Sequence, residues 1–472
     1  MSVFKVKDNK GKFITEILAG ITTFAAMAYV ILVNPAIVAG EAGSDLHTAV
    51  FVATCLGSFL GTLLTAFIAN LPFAQASGVG LTAVFASVLM GANGYSYPTA
   101  LLIVLISGIL FILATVLGLN KAISKAIPKS MKAAIGAGIG LYIALLGLSN
   151  NGNGIIEKGE NGFSLIDMGG LFDKAHPESM HTAFSALVIL FGVIAISTLR
   201  RYRVPGSILI GMALTACAYW FGGVYISKGI AEVVKAEMPS AQVDFSGIGS
   251  QFGVWAKNSL GVCLTQGVSE LFGKDFAKNI VSIVIVTLCF TLTDIFTSAG
   301  TFIGAAQGNN MVDDKGEMPR MKEALLADSI ATTVGAVLGA PTVSVGAESS
   351  MGIAVGGKTG LSALVTALCF AAALFLSPFL GYIPSVATAA ALICVGIIMM
   401  SSLKSVDFGD LTEAVPAILT MALMPVTGSI IDGIAIGIIA HLVIKVFSLK
   451  FREFSIAEIV IAALFAAMLI FR

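Results

Sequence analysis

Two carboxylates stand where carboxylates are costly. Asp294 lies centrally in the apolar run 279–300, and Glu348 lies in the apolar run 341–357. A charged group deep in hydrocarbon is tolerated only where it faces a polar cavity, finds a partner or carries a proton. Acids so placed can take up a proton or accept hydrogen bonds from a polar solute. Asp328, just after a charged loop, and Asp432, in a Ser-Ile-Ile-Asp-Gly turn, read instead as cap or interface residues. The four histidines (His47, His176, His181, His441) are not central to either run, so a histidine relay is not expected. Five cysteines (Cys55, Cys217, Cys289, Cys369, Cys394) fall in apolar runs and Cys263 stands alone in a loop. That is neither a disulfide framework nor a metal spacing. No paired nucleophile and base, metal cluster or phosphate loop is present, and no catalytic residue or cofactor is assigned.

The acids are accompanied by two segments that break the rules for a plain spanning helix. LPFAQASGVGLTAVF (71–85) crowds Pro72, Gly78 and Gly80 together, and LGAPTVSVGAESSMGIAVGG (338–357) carries Pro341, Gly346, Gly352, Gly356 and Gly357. Unwound backbone inside a membrane exposes N–H and C=O groups that lipid cannot satisfy but a protein-lined cavity can use. Glycines alone could serve close helix packing; proline beside them points to a binding segment.

These features need a membrane, and the composition supplies one. Of 472 residues 57% are apolar and 11% charged, with mean hydropathy +0.95, whereas a soluble domain has about a quarter of its residues charged. The 27 basic and 27 acidic residues balance, so neither nucleic acid nor another strongly charged partner is implied. Apolar segments fall at about 15–35, 49–69, 72–90, 98–118, 128–148, 183–199 and 204–223, then 279–300, 323–339, 341–357, 359–380, 384–402, 411–428 and 430–448. This predicts about fourteen helical spans, since each run is long enough to cross about 30 Å of hydrocarbon. The stretch 454–471 is either a further span or an interfacial helix. The first run is full length and lacks an A-x-A site, so it reads as a span and not a cleaved signal. Basic residues cluster at Lys5, Lys7, Lys10 and Lys12, at Lys121, Lys125, Lys129 and Lys132, at Arg200, Arg201 and Arg203, and at Lys404, Lys445, Lys450 and Arg452. All fall on one side, which predicts a cytoplasmic N-terminus. The opposite loop, 150–182, is acidic through Glu157, Glu160, Asp167, Asp173 and Glu178, against Lys158 and Lys174.

The two halves resemble each other: ITTFAAMAYVILVNPAIVAG (21–40) aligns with VTLCFTLTDIFTSAGTFIGAA (286–306), and TALLIVLISGILFIL (99–113) with SALVTALCFAAALFL (362–376). Seven spans per half is odd, so the second copy enters from the opposite side, giving an inverted repeat. At this point a family can be recognised. ILAGITTFAAMAYVILVNPAIV, LPFAQASGVGLTAVF, AIPKSMKAAIGAGIGLYIALLGL, LTDIFTSAGTFIGAA and VGAESSMGIAVGGKTGLSALV strongly resemble the adenine–guanine–hypoxanthine permeases, the azaguanine-resistance-type branch of the nucleobase–cation symporters. The resemblance runs in order along nearly the whole chain.

It implies an all-α polytopic fold of fourteen spans in two inverted seven-span repeats, with short strands in spans three and ten meeting at mid-membrane. A core domain would comprise 1–120 and 279–381, and a gate domain 121–278 and 382–472. Purine nucleobase import by proton symport, elevator-type alternating access, a homodimer and a bacterial inner-membrane location are further implications, with the proton as coupling ion and no other cofactor. The family's eighth-span acid falls on Asp294 and its tenth-span acid on Glu348. The tenth-segment strand falls on Gly346 and Ala347, and the third-segment strand on Ala76, Ser77 and Gly78. Asp294 is the expected coupling acid and Glu348 the expected substrate clamp, two carboxylates expected side by side. There are departures: Ser77, Val79 and Thr82 replace Pro, Met and Asn, Thr297 replaces a second acid, and Gly346 replaces a tyrosine, which predicts empty space in the pocket wall. An anion transporter or exchanger of the sulfate and bicarbonate class has a similar fold, but Glu348 would repel an anion, and Lys358 lies too far along to offset it.

Overall fold

Several helices start where the chain supplies a side-chain cap. In the computed structural model the described residues are 4, 13–40, 44–92, 94–118, 128–149, 154–159, 162–172, 177–226, 248–272, 276–308, 311, 318–450 and 454–471. Ser44 accepts from the backbone N–H of His47 at 3.1 Å and opens α3 (Asp45–Leu64). Ser96 accepts from Thr99 and, with Pro98 in the first turn, opens α5 (Tyr97–Val116). Such side-chain oxygens satisfy N–H groups that no helical carbonyl can reach. Asp432 turns out to lie in the first turn of a helix capped by Ser429, to which its N–H donates.

The first span is broken. α1 (Phe13–Met27) stops before Ala28–Tyr29, and α2 (Val30–Ala39) resumes beyond. The bonds Ile31 N–H to Ala28 O and Leu32 N–H to Tyr29 O reach back three residues instead of four. Pro35 in α2 has no N–H to give its own turn. The second span, α3, runs on through a wider turn, Thr65–Ala69, to Asn70 in the left-handed region.

Strand β1 (Gln75–Ser77) then leads into α4 (Val79–Val84). α6 is Lys129–Ser149, α7 Pro177–Arg201 and α8 Ser207–Ile226, with the hairpin β2 (Ile156–Gly159) and β3 (Gly162–Leu165) between α6 and α7. After α9 (Ile248–Asn258) and the short α10 (Val268–Leu271) comes the long α11 (Phe276–Gly308), followed by α12 (Met321–Leu338). Strand β4 (Val343–Val345) leads into α13 (Ser349–Val355). The chain finishes with α14 (Gly360–Ala373), α15 (Ser385–Met399), α16 (Leu411–Thr427), α17 (Ile430–Phe447) and α18 (Ile456–Phe471). Among the described residues nine helices are long and apolar enough to cross a membrane, and three shorter apolar ones lie at Val79–Gly91, Ser207–Gly223 and Leu411–Thr427. With α12 and the β4–α13 unit these make the fourteen crossings of a multi-pass membrane protein. Large apolar side chains such as Phe67, Leu113, Phe191, Phe375 and Phe447 point outward, as a lipid-facing surface requires.

Contacts fall into two groups. α12 packs on α3 and α5, α14 on α1 and α3, and α13 on α1; separately, α15 packs on α6, α7 and α8, and α16 on α6 and α17. Few elements join the groups. α18 packs on α17 and also on α11, and it is tied to α17 by His441 Nδ1 and Glu458 Oε1 at 2.6 Å, both buried. Lys445 bonds Glu413 at 2.5 Å, with the Ser130 hydroxyl on the other oxygen of the same carboxylate.

The loop expected around Cys263 is replaced by helix, and the stretch 454–471 is a helix, as both of its readings require. Two helical pieces, 248–258 and 262–271, are joined by a turn at 259–261, and Trp255 Nε1 donates to Leu338 O at 2.8 Å, fixing the end of α12. Cys263 is buried in a helical turn, not in a loop. Residues 456–471 form a helix whose first turn carries a buried carboxylate, Glu458. Of the residues used for orientation, Lys5, Lys7, Lys10, Lys12, Lys121, Lys125, Arg452, Glu160, Asp173 and Lys174 lie outside the described residues.

Candidate functional site

The two interrupted segments meet. β1 and β4 pair antiparallel with Gln75 opposite Val345, Ala76 opposite Ser344 and Ser77 opposite Val343. Gly346 N–H donates to Ala74 O at 3.0 Å, so the alternation of an antiparallel ladder turns the backbone groups of Gln75, Ser77, Val343 and Val345 outward. A ribbon this short is marginal on its own, and inside a membrane its outward groups have no water. Side chains from four helices supply the partners. Thr62 (α3) accepts from Gln75 N–H at 2.9 Å and donates to Gln75 O at 2.8 Å. Asn34 (α2) donates to Ser77 O at 2.6 Å. Thr332 (α12) donates to Val343 O at 2.9 Å, and Asp328 Oδ1 (α12) accepts from Val345 N–H at 2.9 Å. Ser349 Oγ (α13) accepts from Ala74 N–H at 3.0 Å.

The ribbon also needs room. A Cβ on Gly61 would stand 2.6 Å from Val343 Cγ1, and one on Gly335 would stand 2.5 Å from Val343 Cγ2. α3 and α12 therefore close on Val343 only because both positions are glycine. Gly339 has φ +91°, and a Cβ there would lie 2.5 Å from that of Ser259. Its carbonyl accepts from Tyr97 Oη at 2.5 Å.

Asp294 is fully enclosed. Its Oδ2 lies 3.1 Å from Thr332 Oγ1, whose one proton it shares with Val343 O, while Oδ1 has no partner. The carboxylate that faces it electrostatically is Asp328, equally buried, whose Oδ2 is also unpartnered. The Ser298 hydroxyl lies against both, without a bond of good geometry to either. Two buried acids without a cation partner among the described residues cannot both hold charge cheaply. Glu348 stands apart from this pair. It is half-buried, its Oε1 accepts from Tyr29 Oη at 2.6 Å, and no bond is made to Oε2 among the described residues.

The sequence-predicted residues therefore divide. Gly346, Glu348 and Gly78 are half-buried, Ala347 and Thr297 are exposed, and Ala76, Ser77 and Asp294 are buried. Strand β4 ends at Val345, so Gly346 and Ala347 follow the strand instead of forming it, and Gly78 likewise follows β1. Thr297 donates to Thr293 O of its own helix at 2.8 Å. The space beside Gly346 is filled by Met27, whose thioether sulfur would lie 3.1 Å from a Cβ there. Two residues from Asp294, Phe296 carries Lys132 of α6 over its ring at 5.6 Å, a contact from the other packing group. Sequence reasoning missed Tyr29, Asp328 and Ser298. The break within MAYVILVNP, with an interior proline, marked the first of these.

Known proteins bear on this geometry. A model of a permease family (Xan_ur_permease) matches residues 14–436. The adenine permease AdeP of Escherichia coli (strain K12) is 34% identical over 470 residues, covering 99% of this chain and 95% of that one. The guanine/hypoxanthine permease PbuO of Bacillus subtilis (strain 168) is 36% identical over 468 residues, 98% of each. Among solved structures, the transmembrane domain of the cyanobacterial bicarbonate transporter BicA superposes with TM-score 0.60 at 16% identity, over 88% of this chain and 95% of that one. SLC26A9 superposes with TM-score 0.59 at 14% identity, over 94% and 66%. At these identities the structural likeness speaks for the fold alone. The sequence relatives are permeases along their full length, so this chain is a transport protein and not an enzyme. It belongs to the permease family, in the branch of the adenine and guanine/hypoxanthine permeases.

Proposed function

We propose that this permease imports purine nucleobases together with protons across the bacterial inner membrane. The observation that carries the reading is a carboxylate with a free oxygen, Glu348 Oε2, beside the end of a membrane-buried ribbon, in a chain whose sequence relatives are named for adenine, guanine and hypoxanthine. Glu348 accepts a purine N–H. Gly346 N–H is already given to Ala74 O, so the flanking donor that a purine edge needs is Ala347 N–H, with a carbonyl of the same turn as the acceptor. The coupling proton is held by the Asp294–Asp328 pair, one proton removing one of two neighbouring buried charges. The core, 1–120 and 279–381, moves against the gate, 121–278 and 382–472, in an elevator-type cycle, within a homodimer whose N-termini are cytoplasmic. The fold's likeness to bicarbonate and SLC26 transporters does not favour anion transport here. A carboxylate occupies the candidate site, and Lys358 lies at the start of α14, its backbone N–H bonded to Glu16.

The test is uptake of labelled hypoxanthine, adenine and guanine into proteoliposomes, with labelled sulfate in parallel and an imposed pH gradient. Base accumulation driven by an inward proton gradient is expected, with no sulfate uptake. Asp294→Asn is expected to preserve exchange of internal for external base and to abolish accumulation. Sulfate uptake without base uptake would overturn the substrate class, and full accumulation by Asp294→Asn would remove that residue from the coupling role.

A further inference from the structure

Glu348 is not a bare carboxylate. Tyr29 Oη donates to its Oε1 at 2.6 Å, a short charge-assisted bond. Tyr29 is 3% exposed and sits in the break between α1 and α2, where the backbone turns in bonds three residues long. Its place is held from both sides. Met27, 1% exposed, packs its thioether on the Gly346 backbone, and Asn34 ties α2 to the ribbon through Ser77 O at 2.6 Å. Glu348 Oε2 lies on the Gly346 side, 3.1 Å from where a Cβ would stand there, and accepts no bond among the described residues. The two oxygens are thus unequal: one is committed within the protein and the other is free.

We propose that Tyr29 is a specificity-determining residue that reduces Glu348 to a single-oxygen acceptor, so that the site favours purines presenting one N–H at the bound edge over guanine, which presents two side by side. The proposal rests on Glu348 being the substrate acceptor. A carboxylate with both oxygens free can take two parallel N–H donors at once, as it does from a guanidinium fork. The N1–H and 2-amino N–H of guanine form such a pair. With Oε1 already accepting from a phenol, the second of these donors must share that oxygen and makes a weakened bond in a half-buried site, a cost that lowers affinity by about tenfold. Hypoxanthine differs from guanine only in lacking the 2-amino group and escapes that cost. Adenine, whose 6-amino group can offer one N–H beside a ring nitrogen acceptor, escapes it too.

The test is equilibrium binding of hypoxanthine, adenine and guanine to the purified protein in nanodiscs, for wild type, Tyr29→Phe and Glu348→Ala. Wild type is expected to bind hypoxanthine about tenfold more tightly than guanine, and Tyr29→Phe to shift that ratio about tenfold towards guanine by freeing Oε1. A residue that merely props the fold would change all affinities together and leave the ratio alone. Wild-type guanine affinity equal to or above that of hypoxanthine overturns the inference whatever the variants do. An unchanged ratio in Tyr29→Phe also overturns it. Glu348→Ala separates the two levels of argument: if it binds every base as wild type does, the acceptor reading itself falls. If it binds none while Tyr29→Phe leaves the ratio unmoved, only the role of Tyr29 is lost.

Discussion

Asp328 does two opposed things, and two substitutions separate them. Its Oδ1 holds Val345 N–H at 2.9 Å, and its Oδ2 sits unpartnered beside Asp294 in the same enclosed volume. Asp328→Asn keeps an acceptor for Val345 and removes the charge. The charge that Asp294 faces is thereby removed, and Asp294 Oδ1, itself without a bond, no longer meets a second carboxylate. Asp328→Leu removes charge and acceptor together and leaves Val345, 5% exposed, with a buried N–H and nothing to receive it. Because the charge is gone in both variants, their difference isolates the hydrogen bond. Losing a bond of this kind and orphaning its donor costs about 1–3 kcal/mol. Denaturant unfolding in mixed micelles should therefore rank Asp328→Leu below Asp328→Asn by about that amount, with Asp328→Asn no less stable than wild type. Substrate affinity should fall in the Leu variant too, because Gly346, the residue after Val345, carries the next ladder bond. If Asp328→Leu unfolds at the same denaturant concentration as Asp328→Asn, the bond to β4 does not support the ribbon and the reasoning fails.

Other perturbations follow from the same structure. His441→Leu removes the hydrogen-bond partner of Glu458, which is 1% exposed, and should cost about 1–3 kcal/mol; the double change His441→Leu with Glu458→Leu should recover most of it in the same unfolding assay. Gly339→Ala forces a Cβ into the left-handed region against Ser259 and should cost about 1–3 kcal/mol, measured as a lowered melting temperature. Met27→Ala empties the space beside Gly346 and should let purines with an added methyl group compete with hypoxanthine where wild type excludes them. Asp410, the cap of α16, bonds Lys450 at 2.7 Å and Thr412 N–H at 2.9 Å, and the lysine bond first, then the N–H, holds its carboxyl below the ordinary range. Its contribution is present above the unfolded carboxylate value of about 4 and is lost as pH falls through the lower folded value. Asp410→Asn should thus differ from wild type at pH 7 and converge with it in strong acid.

Much of the fold was legible because lipid leaves few choices. A run of twenty apolar residues must be a helix, and fourteen such runs with interrupted members at matching places specify an inverted repeat. The helix 248–258 escaped because it obeys a different rule. It is 11 residues long, ends in Lys257 and buries no residue completely, so it presents no span-length signal. Phe252 and Trp255, three apart on one face, were its only mark. The exact strands escaped for a related reason. Three-residue strands show no period, and only the pairing of β1 with β4 decides that the strand ends at Val345, with Gly346 adding one last bond beyond it.

The site was legible as chemistry and not as geometry. Asp294 and Glu348 declare themselves by being acids in apolar runs, but which acid faces which is set by contacts far apart in sequence. Asp328 follows a charged loop, and lies seven residues into α12, roughly 10 Å along the helix axis at 1.5 Å per residue, deep enough to reach β4. That depth gives the proposed cycle its physical link. Asp328 holds Val345, Gly346 follows it in the ladder, and Glu348 comes two residues later, clamped from behind by Tyr29. A proton gained or lost between Asp294 and Asp328 changes the strength of the bond to Val345, and so acts on the backbone that presents the substrate's acceptor. By linkage, a base that tightens that backbone must change the proton affinity of the pair by the same factor. Proton affinity measured with and without saturating hypoxanthine should therefore shift in wild type and stay fixed in Asp328→Leu, where the connecting bond is gone; an equal shift in both would mean that the coupling runs by another route.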